Sequence, residues 1–468
     1  MQRKVSGMGN EAGQPLARAE LRPLIDGSRD RPLLFAPDGV PLSRGEFLAR
    51  VRAVAARLPQ ATHVINLCER RDAFIIGLCA AASRGQVTLL PPSRADDVVA
   101  EVQSRHPGSY RMGDAMPDGT HGDVDVHVDP AAQGIDGDDP LINPDTVLVI
   151  GFTSGSTGAP MAYPKTFAGF RISTAQNVAA LDGLLAPGEQ FSVVATVPPQ
   201  HMYGMELSVL LPLVGPAAVH AGRPFFPQDI AAALAQVPAP RLLVTTPLHL
   251  RALVESGVEL PELKVVVTAT APLPQEIAAA AETRYRCEVR EMFGSTETCV
   301  IAARRTARDN EWTLLPGVEL RPQAEGTLVL RESLPQPVLL ADLVELAADG
   351  RRFALRGRSA DVLEIAGKRA SLADLTRRLQ QVPGIRDGVM VQVAADAQGV
   401  RRLFAIVVAD TDLGDEDILA ALRRSSDPVF LPRRIFRVDA LPRNETGKLP
   451  RAEIDAIIER ALKARSSR

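Results

Sequence analysis

A cluster of glycines and hydroxyl-bearing residues follows a short apolar run in the first half of the chain. The run is Val147–Ile150, and the cluster comprises Thr153, Ser154, Gly155, Ser156, Thr157 and Gly158, with Lys165 further along. Glycines let the backbone approach a ligand closely, and hydroxyls add donors beside backbone N–H groups. The segment therefore predicts a polyphosphate-binding loop. It is not a Walker A loop, because no Gly-Lys-Ser/Thr follows at the required spacing. A solvated Ser/Gly turn is the alternative.

Charged side chains in four later segments extend this chemistry. Glu297 ends the segment Phe293-Gly294-Ser295-Thr296-Glu297, and its carboxylate is an oxygen ligand of the kind that a hard cation such as Mg²⁺ requires. Asp342 ends Leu340-Ala341-Asp342, and Arg358 follows Gly357. Lys448 ends Pro442-Arg443-Asn444-Glu445-Thr446-Gly447-Lys448, where a glycine-containing turn presents a long, flexible cation.

Strands and helices that alternate along the chain would position these residues. Apolar runs at Phe191–Ala195 and Leu242–Thr245 predict strands, and alanine-rich segments between such runs predict helices. This alternation is typical of a largely parallel sheet, whose ligands bind at the carboxyl ends of the strands. A β-rich stretch including Leu328–Leu330 precedes a compact C-terminal pattern of strands and helices.

Taken in order, these motifs resemble the adenylate-forming superfamily, which includes acyl- and aryl-CoA synthetases, peptide-synthetase adenylation domains and luciferases. The resemblance covers nearly the whole chain, and Pro41–Leu48 resembles the family's first core motif. It implies an α/β fold, with a large N-terminal domain of helix-flanked sheets and a β-rich subdomain, followed by a small mobile α/β domain. We expect the N-terminal adenylation core to span residues 1–356 and the C-terminal domain to span 357–468.

The resemblance also implies a role for each candidate residue, with ATP and Mg²⁺ as cofactors. The loop at 153–158 would hold the β- and γ-phosphates, and Lys165 would assist it. Thr296 would contact the adenylate phosphate, and Glu297 would bind Mg²⁺. Asp342 would accept hydrogen bonds from the ribose hydroxyls, with Arg358 nearby. The further roles are for Lys448, which would bridge the carboxylate and the α-phosphate, and for His201, in His201-Met202-Tyr203-Gly204-Met205, which would orient the carboxylate.

Each assignment has an ordinary structural alternative. Lys165 is otherwise an exposed lysine at the start of a helix, and Glu297 an acid at a helix N-terminus. Arg358 is otherwise a partner in a surface salt bridge, and His201 a core histidine. Lys448 is otherwise one more basic residue of a C-terminal segment in which basic residues outnumber acidic ones.

The chain departs from the family pattern at three places. Met161 stands where relatives carry a lysine after the proline, and Leu340-Ala341 replaces the Thr-Gly that usually precedes the ribose-binding aspartate. Ala360 stands where relatives carry a hinge aspartate, with Asp361 next. A hinge needs tolerant backbone angles rather than one residue type, so Ala360 does not by itself indicate lost function.

The substrate is expected to be an aryl or fatty carboxylic acid. Small residues at Thr268–Ala271 would leave room for a ring or chain opposite His201. Nothing near His201 resembles the aspartate that binds an amino-acid ammonium group. We expect an acyl carrier protein as the thiol acceptor, because Pro164-Lys165-Thr166-Phe167 resembles stand-alone ligases of aryl-polyene-type pathways. Free CoA is the alternative, and a lapsed relative that only binds nucleotide or acyl-adenylate is the non-enzymatic one.

Composition limits the remaining possibilities. A formal net charge of −3 argues against a general nucleic-acid partner. The four cysteines form no Cys-x-x-Cys pair, so structural metals and disulfides are not expected. We expect a cytoplasmic location. No apolar run is long enough to span a membrane. His121, Asp123, Asp125 and His127 alternate like metal ligands, but a solvent-facing edge strand predicts the same pattern.

Overall fold

Short strands and amphipathic helices alternate through the first part of the protein. The computed structural model describes residues 20–114, 124–153, 161–186, 188–358, 362–365, 368–393, 402–444 and 449–466. Helix α1 starts with a capping box, because Ser43 accepts from the Glu46 backbone and the Glu46 carboxylate accepts from that of Ser43. The elements are β1 (Arg22–Pro23), β2 (Pro32–Phe35), β3 (Pro41–Ser43), α1 (Arg44–Ala55), β4 (His63–Asn66), α2 (Arg71–Ser83), β5 (Val87–Leu90), α3 (Asp96–Arg105), β6 (Tyr110–Gly113), β7 (Val126–His127), β8 (Leu141–Ile142), β9 (Val147–Thr153), β10 (Met161–Thr166) and α4 (Phe167–Ala179).

The middle of the chain continues the alternation and contains one π-helix, Glu206–Leu210, between two short α-helices. A π-helix is a rare local geometry that occurs frequently at functional sites. The elements are β11 (Phe191–Ala195), α5 (Met202–Met205), α6 (Leu211–Val214), β12 (Ala217–His220), α7 (Pro227–Ala235), β13 (Arg241–Thr245), α8 (Pro247–Ser256), β14 (Val265–Thr268), α9 (Gln275–Tyr285), β15 (Glu288–Ser295), β16 (Cys299–Arg304) and β17 (Trp312–Leu314).

The last part of the chain begins with antiparallel strands and ends in a long helix. Its 3₁₀ turn, Pro428–Phe430, is capped by Asp427. The elements are β18 (Glu319–Gln323), β19 (Gly326–Leu330), β20 (Val338–Leu340), β21 (Asp342–Leu346), β22 (Arg352–Arg358), β23 (Val362–Ile365), β24 (Lys368–Ser371), α10 (Leu372–Gln380), β25 (Ile385–Gln392), β26 (Leu403–Ala409), α11 (Asp415–Ser425), β27 (Arg434–Arg437) and α12 (Arg451–Ser466).

Two large sheets carry the first 358 residues. One has the order β10-β9-β5-β4-β6-β7, in which β9 pairs in parallel with β5 and antiparallel with β10. The other has the order β21-β22-β17-β16-β15-β14-β13-β11-β12-β2-β3. Its strands from β2 to β15 run parallel, and those from β15 to β21 are antiparallel. The carboxyl ends of β11 to β15 therefore share one edge, the usual place for a ligand.

The C-terminal part has its own small sheet and its own core. Strands β25, β26 and β27 form a sheet in that order, and Leu379, Ile406 and Ile418 are among its fully buried side chains. The predicted domain limit between residues 356 and 357 falls within β22, which pairs with β17 and β21. The division at this limit stays a prediction.

The fold class predicted from the sequence is confirmed: helix-flanked sheets are followed by β-rich elements and a small C-terminal α/β part. The apolar run before the loop is the buried strand β9, and the two runs at 191–195 and 242–245 are β11 and β13. His127 lies on β7, an edge strand, as the non-metal alternative predicts. His121 and Asp123 lie outside the described residues, and within those residues there is no helix long and apolar enough to cross a membrane.

Candidate active site

Three of the predicted motifs meet at Gly151, near the end of β9. A methyl group on Gly151 would lie 3.0 Å from Cγ2 of Thr296 and 3.3 Å from Cε of Met202. Gly151 therefore separates the strand that leads into the 154–158 loop from the Thr296-Glu297 segment and from the residue after His201. A side chain at this position would require the side chain of Thr296 or Met202 to move away from β9.

Thr296 and Glu297 lie in a tight turn between two antiparallel strands. The turn joins β15 to β16, and Ser295 pairs with Cys299. Ser295 Oγ accepts the backbone N–H of Thr298 at 3.2 Å, which closes the turn. The strand β15, rather than a helix, leads directly into Thr296, and no helix follows Glu297. The alternative of a helix N-terminal acid at Glu297 is therefore wrong.

Lys165 lies beneath this turn, on β10. It is 6% exposed, and its Nζ donates to the backbone carbonyl of Glu297 at 2.6 Å. The alternative of an exposed lysine at the start of a helix is wrong, because α4 begins only at Phe167. Met161, which stands where relatives carry a lysine, lies at the other end of β10, opposite Thr153, and is 55% exposed. A buried cation at Lys165 thus holds the backbone of the residue proposed as the metal ligand.

The phenol of Tyr163 is a member of the site that the sequence analysis missed. Tyr163 pairs with Gly151 across the β9–β10 hairpin. Burial and the nearby Glu297 carboxylate raise the pKa of Tyr163, while a hydrogen bond with Thr153 lowers it. Tyr163 therefore lies diagonally across the hairpin from Thr153 and within electrostatic range of Glu297. Alternation along β10 puts Tyr163 and Lys165 on the same face, a signal that the sequence contains.

His201 introduces the second wall of the site. It precedes α5, and its carbonyl accepts the N–H of Met205 at 2.7 Å. Gly204 packs so tightly that a methyl group there would lie 2.0 Å from the Pro198 carbonyl oxygen. Tyr203 is buried, with its hydroxyl 2.8 Å from the Val267 carbonyl oxygen. Tyr203 thus braces α5 against β14 instead of presenting its hydroxyl to a substrate.

Polar groups at the carboxyl ends of β11 and β13 lie behind this wall. Thr196 Oγ1 lies 2.9 Å from Thr245 Oγ1 and 2.9 Å from Nδ1 of His249. Burial, and secondarily the charge of Arg223, lowers the pKa of His249 to about 4. His249 is therefore a neutral hydrogen-bonding group near pH 7, and the sequence analysis did not single it out.

Asp342 and Arg358 are brought together by strand register. They are cross-strand partners at the start of β21 and the end of β22. The backbone carbonyl of Asp342 accepts the Thr327 hydroxyl at 2.6 Å, which fixes the start of β21. Both residues belong to the antiparallel half of the sheet that also contains β15 and β16.

Several predicted residues lie outside the described residues: Ser154, Gly155, Ser156, Thr157, Gly158, Ala360, Asp361 and Lys448. The groups that are described fit a magnesium–nucleotide complex. Glu297 supplies an oxygen ligand that suits a hard cation, and Thr153 and Thr296 supply hydroxyls close to it. The hard, all-oxygen donor set matches Mg²⁺ rather than a soft metal.

Sequence comparison matches about two thirds of the chain to known proteins. The family model described as AMP-binding enzyme matches residues 25–329. The 4-coumarate–CoA ligase of Rhodobacter capsulatus is 27% identical over 305 residues, which are 65% of this chain and 75% of the relative. The match to the family model thus extends from just before β2 into β19.

Solved structures share the fold over most of the chain. The o-succinylbenzoate CoA synthetase from Bacillus subtilis, in complex with its acyl-adenylate intermediate, superimposes with a TM-score of 0.77. It is 16% identical, and the match covers 91% of this chain and 95% of that one. The same synthetase in complex with ATP and a magnesium ion gives a TM-score of 0.76, at 16% identity over 91% of this chain and 97% of that one. The ATP and magnesium of that complex agree with the cofactors expected here.

Proposed function

Because the chain belongs to the AMP-binding enzyme family, we propose that it activates a carboxylic acid with ATP to an acyl-adenylate and then transfers the acyl group to the thiol of CoA. The observation that carries this proposal is the junction at Gly151, where Thr296 and Met202 both come within contact distance. A nucleotide turn and an acid-binding segment that share one wall suit a reaction between a carboxylate and a phosphate.

The proposed roles combine the position of the described residues with the family resemblance, on which the roles of residues 154–158 and Lys448 rest. The 153–158 segment binds the β- and γ-phosphates, Lys165 supports the site by holding the Glu297 backbone, and Thr296 contacts the α-phosphate. Asp342 and Arg358 bind the ribose, and His201 orients the carboxylate of the acid. Glu297 holds Mg²⁺, which neutralises charge on the phosphate oxygens when bound. Lys448 reaches the reacting carboxylate from the C-terminal part.

The chemistry needs oriented charge rather than a protein nucleophile. A carboxylate oxygen attacks the α-phosphorus, the bond from that phosphorus to the bridging oxygen breaks, and pyrophosphate leaves. Both reactants are anions, so cations and hydrogen-bond donors lower the barrier by stabilising the crowded transition state. The thiol then attacks the acyl carbon, and AMP leaves with the bonding electron pair.

An aromatic acid is the substrate class that the relatives favour. The Rhodobacter relative is a 4-coumarate–CoA ligase, and the Bacillus structure is an o-succinylbenzoate synthetase. In this chain the opposite wall follows β14, where Ala269 is 7% exposed and Thr270 has a φ of 83°. Small side chains at this strand end leave space for a ring, and a fatty acid is the second class within the same pocket.

The names of the relatives favour CoA over a carrier protein, contrary to the preference stated from the sequence. One observation keeps carrier loading as a second candidate. Arg433 and Arg434 are exposed at the start of β27, and the Arg434 guanidinium lies 6.0 Å from the Phe404 ring centre. Two exposed arginines on the C-terminal part offer a surface to an acidic carrier protein.

The test is carboxylate-dependent exchange of pyrophosphate into ATP, run with 4-coumarate, benzoate, o-succinylbenzoate and medium-chain fatty acids. We expect exchange with at least one aromatic acid, followed by thioester formation with free CoA. Loading of a phosphopantetheinylated carrier protein in place of CoA would move the conclusion to the second candidate. Nucleotide binding without exchange for any acid would contradict the enzymatic proposal and favour a lapsed relative.

A further inference from the structure

A buried carboxylate lies behind the candidate site and has no place in the proposed chemistry. Glu206 is 1% exposed and is the first residue of the π-helix that follows α5. A buried carboxylate is costly unless hydrogen bonds satisfy it, so its partners show which elements it holds. It is the only charged residue in a mainly apolar segment that begins at Met205 and runs through α6.

The Glu206 carboxylate joins three elements of the site. Its Oε2 accepts the backbone N–H of Val300 at 2.9 Å, just after the Thr296-Glu297 turn. Its Oε1 accepts Nδ2 of Asn177 at 3.1 Å and the hydroxyl of Ser173. Asn177 and Ser173 lie on α4, the helix that follows the β9–β10 hairpin. Glu206 thus holds together the segment that follows His201, the strand that follows the Thr296-Glu297 turn, and helix α4.

Two buried cations hold the opposite side of the same turn. Arg331 is 7% exposed and donates through Nη1 to the carbonyls of Thr298 at 2.8 Å and Val300 at 2.9 Å. Lys165 donates to the carbonyl of Glu297. Glu206 receives the N–H that points the other way, so the backbone of the turn is fixed from both sides. The residue between Thr298 and Val300 is Cys299, with a φ of 62°, an uncommon conformation for a residue with a side chain.

We propose that Glu206 is a positioning residue, which holds the turn carrying Thr296 and Glu297 in register with the segment carrying His201. The inference rests on the proposed function, since the register matters only where an acid meets a nucleotide. It assigns no contact between Glu206 and a substrate. Misplacement of reacting groups by about 1 Å can cost on the order of 100-fold in rate, so such a tether has a measurable effect.

The three groups around Glu206 make the proposal testable with two substitutions. All three donate to the carboxylate, and Asn177 also carries an amide oxygen that can turn toward Glu206. Glu206→Gln keeps an acceptor for Val300 and offers a donor to Asn177 and Ser173, so it can restore the tether without charge. Glu206→Leu has a similar volume, but it leaves the Val300 N–H without a partner.

The control is a second buried acid that holds backbone outside the site. Asp114 is 7% exposed and accepts the N–H groups of Glu69 at 2.9 Å and Arg70 at 2.7 Å. Asp114→Leu therefore removes a comparable buried carboxylate at a place where only stability is at stake. Urea unfolding at several temperatures establishes how far each variant is destabilised and a temperature at which all variants remain folded.

Two readouts are compared at that temperature: calorimetric binding of AMP and of Mg²⁺-ATP, and kcat and KM for pyrophosphate exchange. We expect Glu206→Leu to weaken nucleotide binding and lower kcat by about 10-fold each, and Glu206→Gln to remain within about 3-fold of the wild type. Asp114→Leu should lose stability but keep nucleotide affinity. The proposal is overturned if folded Glu206→Leu binds and turns over like the wild type, or if Glu206→Gln is as impaired as Glu206→Leu. A wild type without exchange for any acid refutes the proposed function, whereas the binding series still tests the tether.

Discussion

The protein places charged residues in two contrasting settings. Around the Thr296-Glu297 turn, Lys165, Glu206 and Arg331 are each at most 7% exposed, and all three hydrogen-bond to the backbone. In the C-terminal part, charged residues pair at or near the surface instead. Arg437 contacts Asp415 at 2.8 Å, with side-chain exposures of 39% and 53%, and it also donates to the Leu413 carbonyl near the surface.

The two settings do different physical work. A buried group bonded to backbone fixes geometry, because its removal leaves partners unsatisfied in a medium without water. A surface ion pair contributes about 0–1 kcal/mol and is screened by salt. In the first part of the chain, buried charged residues therefore fix the backbone of the candidate site. In the C-terminal part, charged side chains at the surface remain accessible to solvent and to a binding partner.

Lys448 is the one C-terminal residue whose removal we expect to lower activity strongly. It therefore tests whether charge in the C-terminal part can also act in catalysis. Lys448→Ala should lower the rate of pyrophosphate exchange by about 100-fold or more, because it removes charge stabilisation at the reacting phosphate. ATP binding and the urea midpoint should hardly change. Lys463→Ala is the matched control, since Lys463 is an exposed lysine on α12. Equal activity of the two variants would refute the assigned role.

Replacing one arginine in each setting tests the contrast directly. Arg331→Met should lower the free energy of unfolding by about 2–3 kcal/mol, because the carbonyls of Thr298 and Val300 lose a buried donor. Arg437→Met should change it by less than about 1 kcal/mol. Urea denaturation measures both. Similar losses from the two substitutions would show that burial does not separate the settings.

Acidic pH should weaken the part of the protein that contains His249. The pKa of His249 is about 4 in the folded protein, below the ordinary 6.5, so the unfolded chain binds this proton more readily. Its contribution to stability is therefore fully present above pH 6.5 and is lost as pH falls toward 4. The loss between pH 7 and pH 4 should be roughly 2–3 kcal/mol. His249→Gln should reduce this pH dependence of urea unfolding, whereas the exposed His127→Gln should leave it intact.

The smallest expected effect concerns the exposed arginines of β27. Glu substitutions at Arg433 and Arg434 should slow acyl transfer to an acidic carrier protein by a few-fold at low salt, because complementary charge mainly raises the association rate. Adenylation and transfer to free CoA should not change. Charge reversal at Arg423 and Arg424, exposed on α11, is the control. If all transfers are insensitive to both double substitutions and to a salt series, carrier loading through this surface is wrong.

The elements of the fold could be predicted from the sequence wherever the pattern is local. The apolar run before Thr153 predicted β9, whereas the grouping of all the motifs into one site stays a prediction. The apolar runs at 191–195 and 242–245 predicted β11 and β13 in the same way. These predictions succeed because burial on two sides of a strand leaves a continuous apolar run.

The contacts within the site could not be predicted in the same way. Lys165 reaches a carbonyl 132 residues away, and Glu206 reaches Val300 across 94 residues. Such pairs depend on how separate sheets pack, which no periodicity records. The sequence analysis considered Lys165 for phosphate binding or a surface position, and the structure places it under a turn. An acid within an apolar segment was the available signal for Glu206.

All four cysteines, Cys68, Cys79, Cys287 and Cys299, are buried free thiols, and burial raises the pKa of Cys299 to about 11. A thiol-specific reagent therefore reacts only when the surrounding structure opens, since the thiolate is the reactive form. Cys299 lies directly behind the nucleotide turn, and Cys287 lies in a separate core beside β15. The sequence contains no cysteine after residue 299. The protein thus carries natural reporters of local opening in its first part, and one engineered cysteine would make the C-terminal part separately visible.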